Sequence, residues 1–183
     1  RMNAAFCIYD GMTVLDFVGA YDPITRLDRM EFMPLEWDVC APTETVRANR
    51  LDIGIDRVSP DLGEYDLAFF PGGYATRDLQ DDPEFLEWIE TAESCEYLTS
   101  VCTGSLLLGA AGLLDGKRAT THPTAFEELA EYAEVLDDRV VEDGNVITGR
   151  GVSSSIDLGL YVVEVLTDPD TRAAIAEQMD YPY

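Results

Sequence analysis

Cys102 lies inside Glu96 to Gly112, EYLTSVCTGSLLLGAAG, between two stretches of different character. Tyr97 to Val101 is short, apolar at alternate positions and partly β-branched, which predicts a buried strand. From Thr103 onward Gly104, Ser105, Leu106, Leu107, Leu108, Ala110 and Ala111 run without proline, so a helix closed by Gly112 is expected. A cysteine on such a strand-to-helix turn has its sulfur thrust out of the bend, with the first helical N–H groups pointing to the same place. That geometry favours an ionised sulfur and nucleophilic chemistry. At the reference pKa of about 8.5 a thiol is only a few per cent ionised at neutral pH, and a drop of roughly 3 units needs about 4 kcal/mol. A helix terminus supplies about 0.3 to 1 kcal/mol, up to about 2 in favourable cases. A further donor is therefore required, and a protonated carboxyl bonded to the sulfur would serve. The competing reading is one more buried thiol, the commonest fate of a free cysteine.

Other residues able to do chemistry also follow strand-like runs. Asn3 to Tyr9 reads as a first buried strand, and Asp16 opens a helical pattern from about Leu15 to Leu27. An acid there is usually a helix cap, but Asp16 is also a candidate for the acid that Cys102 requires. Asp66 to Phe70 is another apolar run, stopped by Pro71, Gly72 and Gly73. The N–H groups of Gly72, Gly73 and Thr103 could stabilise a developing negative charge, although a bare GlyGly is more often a plain turn. His122, after Lys117 to Thr121, is either a structural hydrogen-bonder or part of a pocket. Gly149 to Gly151, with Arg150 between them, follow a hairpin whose arms, Val140 to Glu142 and Asn145 to Thr148, flank AspGly.

The remaining segments fit the same alternation. Leu35 to Cys40 reads as a strand and Val46 to Ile55 as a hairpin. Helices are expected after Asp82 and Pro83 to about Ser94, from Pro123 to about Ala133, from about Ser153 to Leu166, and from Pro169 to about Met179. Short apolar strands alternating with helices predict an α/β fold, a mostly parallel sheet covered on both faces. Ligands of such sheets bind beyond the C-terminal ends of the strands. Asp16, Gly72, Gly73, Cys102, His122, Arg150 and Gly151 are thereby expected at one edge.

The 183 residues, 46% of them hydrophobic, suffice for a single domain over 1–183. Without an 18-residue apolar stretch or a signal-like N-terminus, a soluble cytoplasmic protein is expected. Acids number 36 against 12 basic residues, of which only Lys117 is lysine, giving a net charge of −24. Such a surface repels nucleic acid and anionic membranes, and points to adaptation to high salt. Cys7, Cys40, Cys95 and Cys102 show no CxxC spacing and accompany one histidine, so no metal site is expected. Cys7 and Cys40 read as core; Cys95 has no assigned role.

These motifs resemble the ThiJ/PfpI superfamily and, within it, the isocyanide (isonitrile) hydratase group. The matching segments are LDFVG at 15 to 19, FPGG at 70 to 73, SVCTGSLLLGAAGLLDGKRATTH at 100 to 122 and GNVITGRGVSSSIDLGL at 144 to 160. The resemblance implies a flavodoxin-like three-layer sandwich of the class I glutamine amidotransferase type, a homodimer, no cofactor and a small-molecule substrate. It makes Cys102 the nucleophile at an elbow and Asp16 the acid, with the backbone of Gly72, Gly73 and Thr103 around them. Family members that look like intracellular proteases have histidine directly after the cysteine; here Thr103 stands there, which disfavours peptidase activity. Pro123, Ala20 and Arg150 depart from the hydratase pattern of tryptophan, proline and glycine, and these changes bear on the pocket's shape and polarity.

The activity implied is hydration of an organic isocyanide to an N-formamide through a thioimidate. Two alternatives stand beside it. Similar domains with the same CysThrGly elbow form the sensing half of AraC-type regulators; no helix-turn-helix segment is expected after residue 183, so a sensor of ligand or redox state is expected to need a partner. Glyoxalase or deglycase chemistry on small aldehydes is the other.

Overall fold

The structure, a computed structural model, describes residues 2–183. In chain order its elements are β1 (Met2–Cys7), α1 (Val14–Arg29), β2 (Leu35–Ala41), β3 (Thr45–Ala48), β4 (Leu51–Gly54), β5 (Arg57–Val58), β6 (Leu67–Phe70), α2 (Thr76–Leu79), α3 (Pro83–Glu90), β7 (Tyr97–Val101), α4 (Gly104–Ala110), β8 (Arg118–Ala119), α5 (Phe126–Leu129), β9 (Glu134–Val135), β10 (Val140–Asp143), β11 (Val146–Gly149), α6 (Ser154–Leu166) and α7 (Pro169–Gln178). Seven strands form one sheet in the order β10-β11-β7-β6-β1-β2-β5. Only β10 runs antiparallel, joined to β11 by a turn in which Gly144 takes φ 61°. Helices α1, α6 and α7 cover one face and α2 to α5 the other, giving the α/β three-layer sandwich.

Burial follows from this layering. All four residues of β6 and of β11 are buried, as strands covered on both faces must be. Phe6 of β1 anchors α1 to the centre of the sheet, its ring 4.9 Å from that of Tyr21, 6.2 Å from Phe17 and 6.0 Å from Phe69. Removing such a ring typically costs about 3 to 5 kcal/mol. Helices α1 and α6 meet along small residues: a Cβ on Gly159 would lie 3.0 Å from the Cα of Ala20, and Ser155 donates to the Leu15 carbonyl at 3.1 Å. This close seam fixes the first turn of α1, and with it Asp16. The N-termini of α3 and α7 are capped as their sequence suggests, by Asp82 and Asp168 with proline next.

Two expectations are corrected. Lys117 to Thr121 contributes only the two-residue β8, which pairs with β9 outside the main sheet. Its neighbouring N–H groups bond to side chains of the last hairpin, Arg118 to Asp143 and Thr120 to Thr148, so no ladder extends it. The helix expected from Pro123 to Ala133 is a 3₁₀ turn over Pro123–Ala125 followed by the single turn of α5. It stops because the chain must turn back to let the Glu134 N–H reach the Lys117 carbonyl.

Arginines form local pairs such as Arg47–Asp52 at 2.7 Å and Arg57–Glu64 at 2.9 Å, but 12 basic residues leave most of the 36 acids unmatched. Raising KCl from about 0.1 M to about 1 M shortens the screening length from about 10 Å to about 3 Å. The melting temperature should rise across that range, as read by circular dichroism, whereas the hydrophobic core alone would give a much smaller change.

Candidate active site

Between the end of β7 at Val101 and the start of α4 at Gly104, the chain turns in two residues, and Cys102 takes φ 53°. A non-glycine residue in the left-handed region costs on the order of 1 to 3 kcal/mol and persists only where its surroundings enforce it. Here the Cys102 N–H donates to the Gly149 carbonyl and its own carbonyl accepts from the Thr121 hydroxyl, both at 2.9 Å. The backbone of Thr103, next in the chain, acts to lower the pKa of the sulfur. Two glycines make room for the bend. A Cβ on Gly72 would stand 2.5 Å from the Thr103 nitrogen, and one on Gly151, at φ 67°, 2.6 Å from the Cys102 Cβ.

Asp16 comes to this point from the first turn of α1. It is fully buried, its Oδ2 accepts the Gly72 N–H at 3.2 Å, and the carboxyl lies within hydrogen-bonding reach of the Cys102 sulfur. Among the described residues its Oδ1 has no hydrogen-bond partner. Burial pushes the carboxyl up to about 7, against the opposing hydrogen bonds to the sulfur and to Gly72. Burial likewise pushes the thiol up to about 12, and the neighbouring Asp16 charge adds to it, against the Thr103 N–H and hydroxyl. The expectation of a sulfur ionised at rest is thus corrected: one helix end and one amide do not outweigh loss of water next to a carboxylate. Burial instead holds both the thiol and the neighbouring carboxyl toward their protonated forms.

The remaining expected residues divide. Gly72 and Gly73 stand beside the elbow, but their N–H groups are engaged, the first by Asp16 and the second by the Thr103 hydroxyl at 3.0 Å. They hold the acid and the turn in register. His122 lines a cavity of about 120 Å³ over Cys102, Thr103 and Gly73, with Nδ1 accepting from the Thr124 N–H at 3.3 Å. Gly151 backs the cysteine. Arg150 is not among the lining residues; its guanidinium pairs with Asp137 at 3.0 Å. Thr13, Tyr74, Arg77, Thr124 and Val152 complete the lining and were not singled out in the sequence. They sit on loops and short turns, where no periodicity marks a side chain as facing a site. Larger grooves of about 590 and 740 Å³ lie elsewhere, and neither contains a thiol.

A parallel α/β sandwich with a strained cysteine at a strand-to-helix elbow and a carboxyl against its sulfur defines a class of cysteine-centred proteins. The chain belongs to the DJ-1/PfpI family, whose model matches residues 2–165. It is 35% identical over 182 residues to the isonitrile hydratase of Pseudomonas putida, covering 98% of this chain and 78% of that protein. It is 28% identical over 179 residues to the HTH-type transcriptional regulator CdhR of Pseudomonas aeruginosa, covering 94% of this chain and 53% of the regulator. Among solved structures, that of a ThiJ/PfpI family protein from Pseudomonas syringae superimposes with a TM-score of 0.91 at 32% identity, covering 100% of this chain and 76% of that one.

Two measurements follow from the buried pair. Because the folded pKa of Asp16, about 7, lies above its ordinary 3.8, the cost of ionising it is absent below about pH 4 and grows as pH rises to about 7. Asp16→Asn should therefore be more stable than wild type at pH 8, by roughly 1 to 4 kcal/mol in urea unfolding, with the difference gone by about pH 4. Thiolate absorbance at 240 nm, wild type minus Cys102→Ser, should stay flat from pH 6 to about 9 and rise only in stronger alkali. A step near pH 5 would mean a thiolate at rest.

Proposed function

We propose that the protein hydrates a small organic isocyanide to the corresponding N-formamide, with Cys102 as nucleophile and Asp16 as proton carrier. The observation that carries this is the fully buried Asp16 carboxyl, its pKa near 7, within reach of the Cys102 sulfur. The sulfur attacks the terminal carbon of the isocyanide while its proton passes to Asp16. Asp16 delivers that proton to the same carbon, giving a thioimidate, R–N=CH–S. Water then adds to this carbon; one of its protons goes to nitrogen and the other, through Asp16, to sulfur as the C–S bond breaks. The formamide leaves and thiol and carboxylate are regenerated. Splitting the addition of water in two is what a covalent intermediate offers an electrophilic carbon of this kind.

Further support comes from likeness to an isonitrile hydratase over 98% of this chain. The cavity's small volume suits a short substrate. The proposal includes a homodimer, with Leu15 and Val18 on α1 and Leu51 on β4, large apolar side chains left well exposed, as its contact surface. A salt-adapted cytoplasmic lyase is the fuller description. Likeness to a transcriptional regulator over 94% of this chain favours a second reading, in which the same cavity binds a ligand without turning it over.

Formamide production from a panel of short isocyanides at high salt separates the two. Cys102→Ala should abolish turnover, and Asp16→Asn should lower kcat by roughly 10²- to 10⁴-fold, the range for loss of a positioned acid–base. Since the carboxylate form must accept the thiol proton, kcat/KM should rise with pH through about 7 in the wild type and lose that step in Asp16→Asn. Turnover persisting in Cys102→Ala would reject the mechanism, and binding without turnover would favour the sensor.

A further inference from the structure

The cavity over Cys102 has a charge character opposite to that of the molecule around it. Acids make up 36 of the 183 residues, yet none of the nine residues lining the cavity is acidic, whereas Arg77 and the chain's single histidine both line it. Arg77 extends from α2, its guanidinium carbon 6.0 Å from the centre of the Tyr74 ring and its Nη2 3.3 Å from the Glu128 carboxylate. A guanidinium carries five N–H donors in a fixed fork, so one contact with Glu128 leaves others for a ligand. Nδ1 of His122 is taken up by Thr124, 2.8 Å from its hydroxyl and 3.3 Å from its N–H, which leaves Nε2 as the ring atom free for a ligand. Asp16, the carboxyl nearest the sulfur, is fully buried and is not part of the lining.

We propose that this cavity selects small molecules carrying a carboxylate, and that Arg77 is the residue that selects them. The assignment of a substrate class rests on the hydratase reading: the substrate would be a short isocyanide whose carboxylate meets Arg77 while its terminal carbon meets Cys102. A cavity of about 120 Å³ holds only a few heavy atoms, so reactive and anionic ends must be close together, as in isocyanoacetate. Planar, forked donors suit a carboxylate better than a neutral amide of the same shape, since a charge-assisted bond is about twice as strong.

Alkylation of Cys102 tests the charge preference without relying on turnover. Iodoacetate and iodoacetamide are near-isosteric, and with either one an S–CH₂ bond forms, iodide leaves and the thiol proton is released. Rates are compared at about 1 M KCl, where screening over about 3 Å mutes the acidic surface. The iodoacetate-to-iodoacetamide ratio at Cys102, normalised to that of the urea-unfolded chain, should exceed one by about tenfold, as one charge-assisted hydrogen bond provides. Arg77→Gln should remove that excess, Arg77→Lys should keep part of it, and Arg172→Gln on the last helix should leave it unchanged. A normalised ratio of one in the wild type, or a ratio kept in Arg77→Gln, would overturn the proposal. In parallel, kcat/KM for isocyanoacetate should exceed that for neutral 2-isocyanoacetamide by a similar factor that disappears in Arg77→Gln. If neither isocyanide turns over while the alkylation preference holds, the hydratase reading fails and the charge selectivity of the cavity stands.

Discussion

A carboxyl and a thiol buried against each other are the constraint that the rest of the structure serves. Each would be more acidic in water, and folding removes that water from both. The pair is a local cost, carried by the surrounding core; in the proposed reaction its worth is chemical, one proton passing between the two groups when an electrophile draws on the sulfur. A pair left in solvent would have no such property, because its carboxyl would stay ionised down to acid pH. The depth of Asp16 is therefore as much a part of the proposed chemistry as its identity.

Depth of that kind needs rigid framing from several directions. The sheet aligns the ends of β6, β7 and β11, so that Pro71–Gly73, Cys102 and Arg150–Gly151 emerge side by side. The α1–α6 seam, with Ser155 on the Leu15 carbonyl, brings the first turn of α1 down onto that edge. The Gly72 N–H then holds the carboxyl and the Gly149 carbonyl holds the Cys102 N–H, so the left-handed cysteine is pinned through bonds made by its neighbours. Larger side chains at Gly72 or Gly151 would collide with the elbow itself. The N–H groups of Gly72 and Gly73 are turned to Asp16 and the Thr103 hydroxyl, and the missing side chain of Gly72 leaves room for the elbow.

How much of this the sequence revealed depended on whether the signal was local. The buried runs of β1, β6 and β7, the two hairpins and the proline-led helices carry periodicity or turn chemistry of their own, and the parallel sandwich follows from their alternation. Cys102 and Asp16 stood out because a nucleophile at an elbow requires a partner acid. The ionisation of that pair was not legible, because it is set by burial, which exists only after packing. Tyr74, Arg77 and Thr124 were missed because each occupies a short turn whose orientation is decided by tertiary contacts such as the Arg77–Glu128 pair. Arg150 looked suited to the pocket by proximity in sequence to Gly151, yet Asp137 offers its guanidinium an ion pair. Lys117 to Thr121 had the composition of a strand but no free ladder to join.

The acidic surface and the basic cavity act on an anionic ligand in opposite ways, and distance decides between them. A net charge of −24 repels an anion over the range of the screening length, about 10 Å at 0.1 M salt, whereas Arg77 acts through contact. At low salt the long-range field would slow the encounter; at about 1 M it collapses to about 3 Å, leaving the guanidinium fork and the His122 ring to discriminate once a ligand has arrived. Salt that relieves repulsion among the surface carboxylates therefore also opens the approach to the cavity, so that stability and access to the site improve together. A protein with this distribution of charge can combine an acidic exterior with recognition of an anion, provided that it works where the exterior is screened.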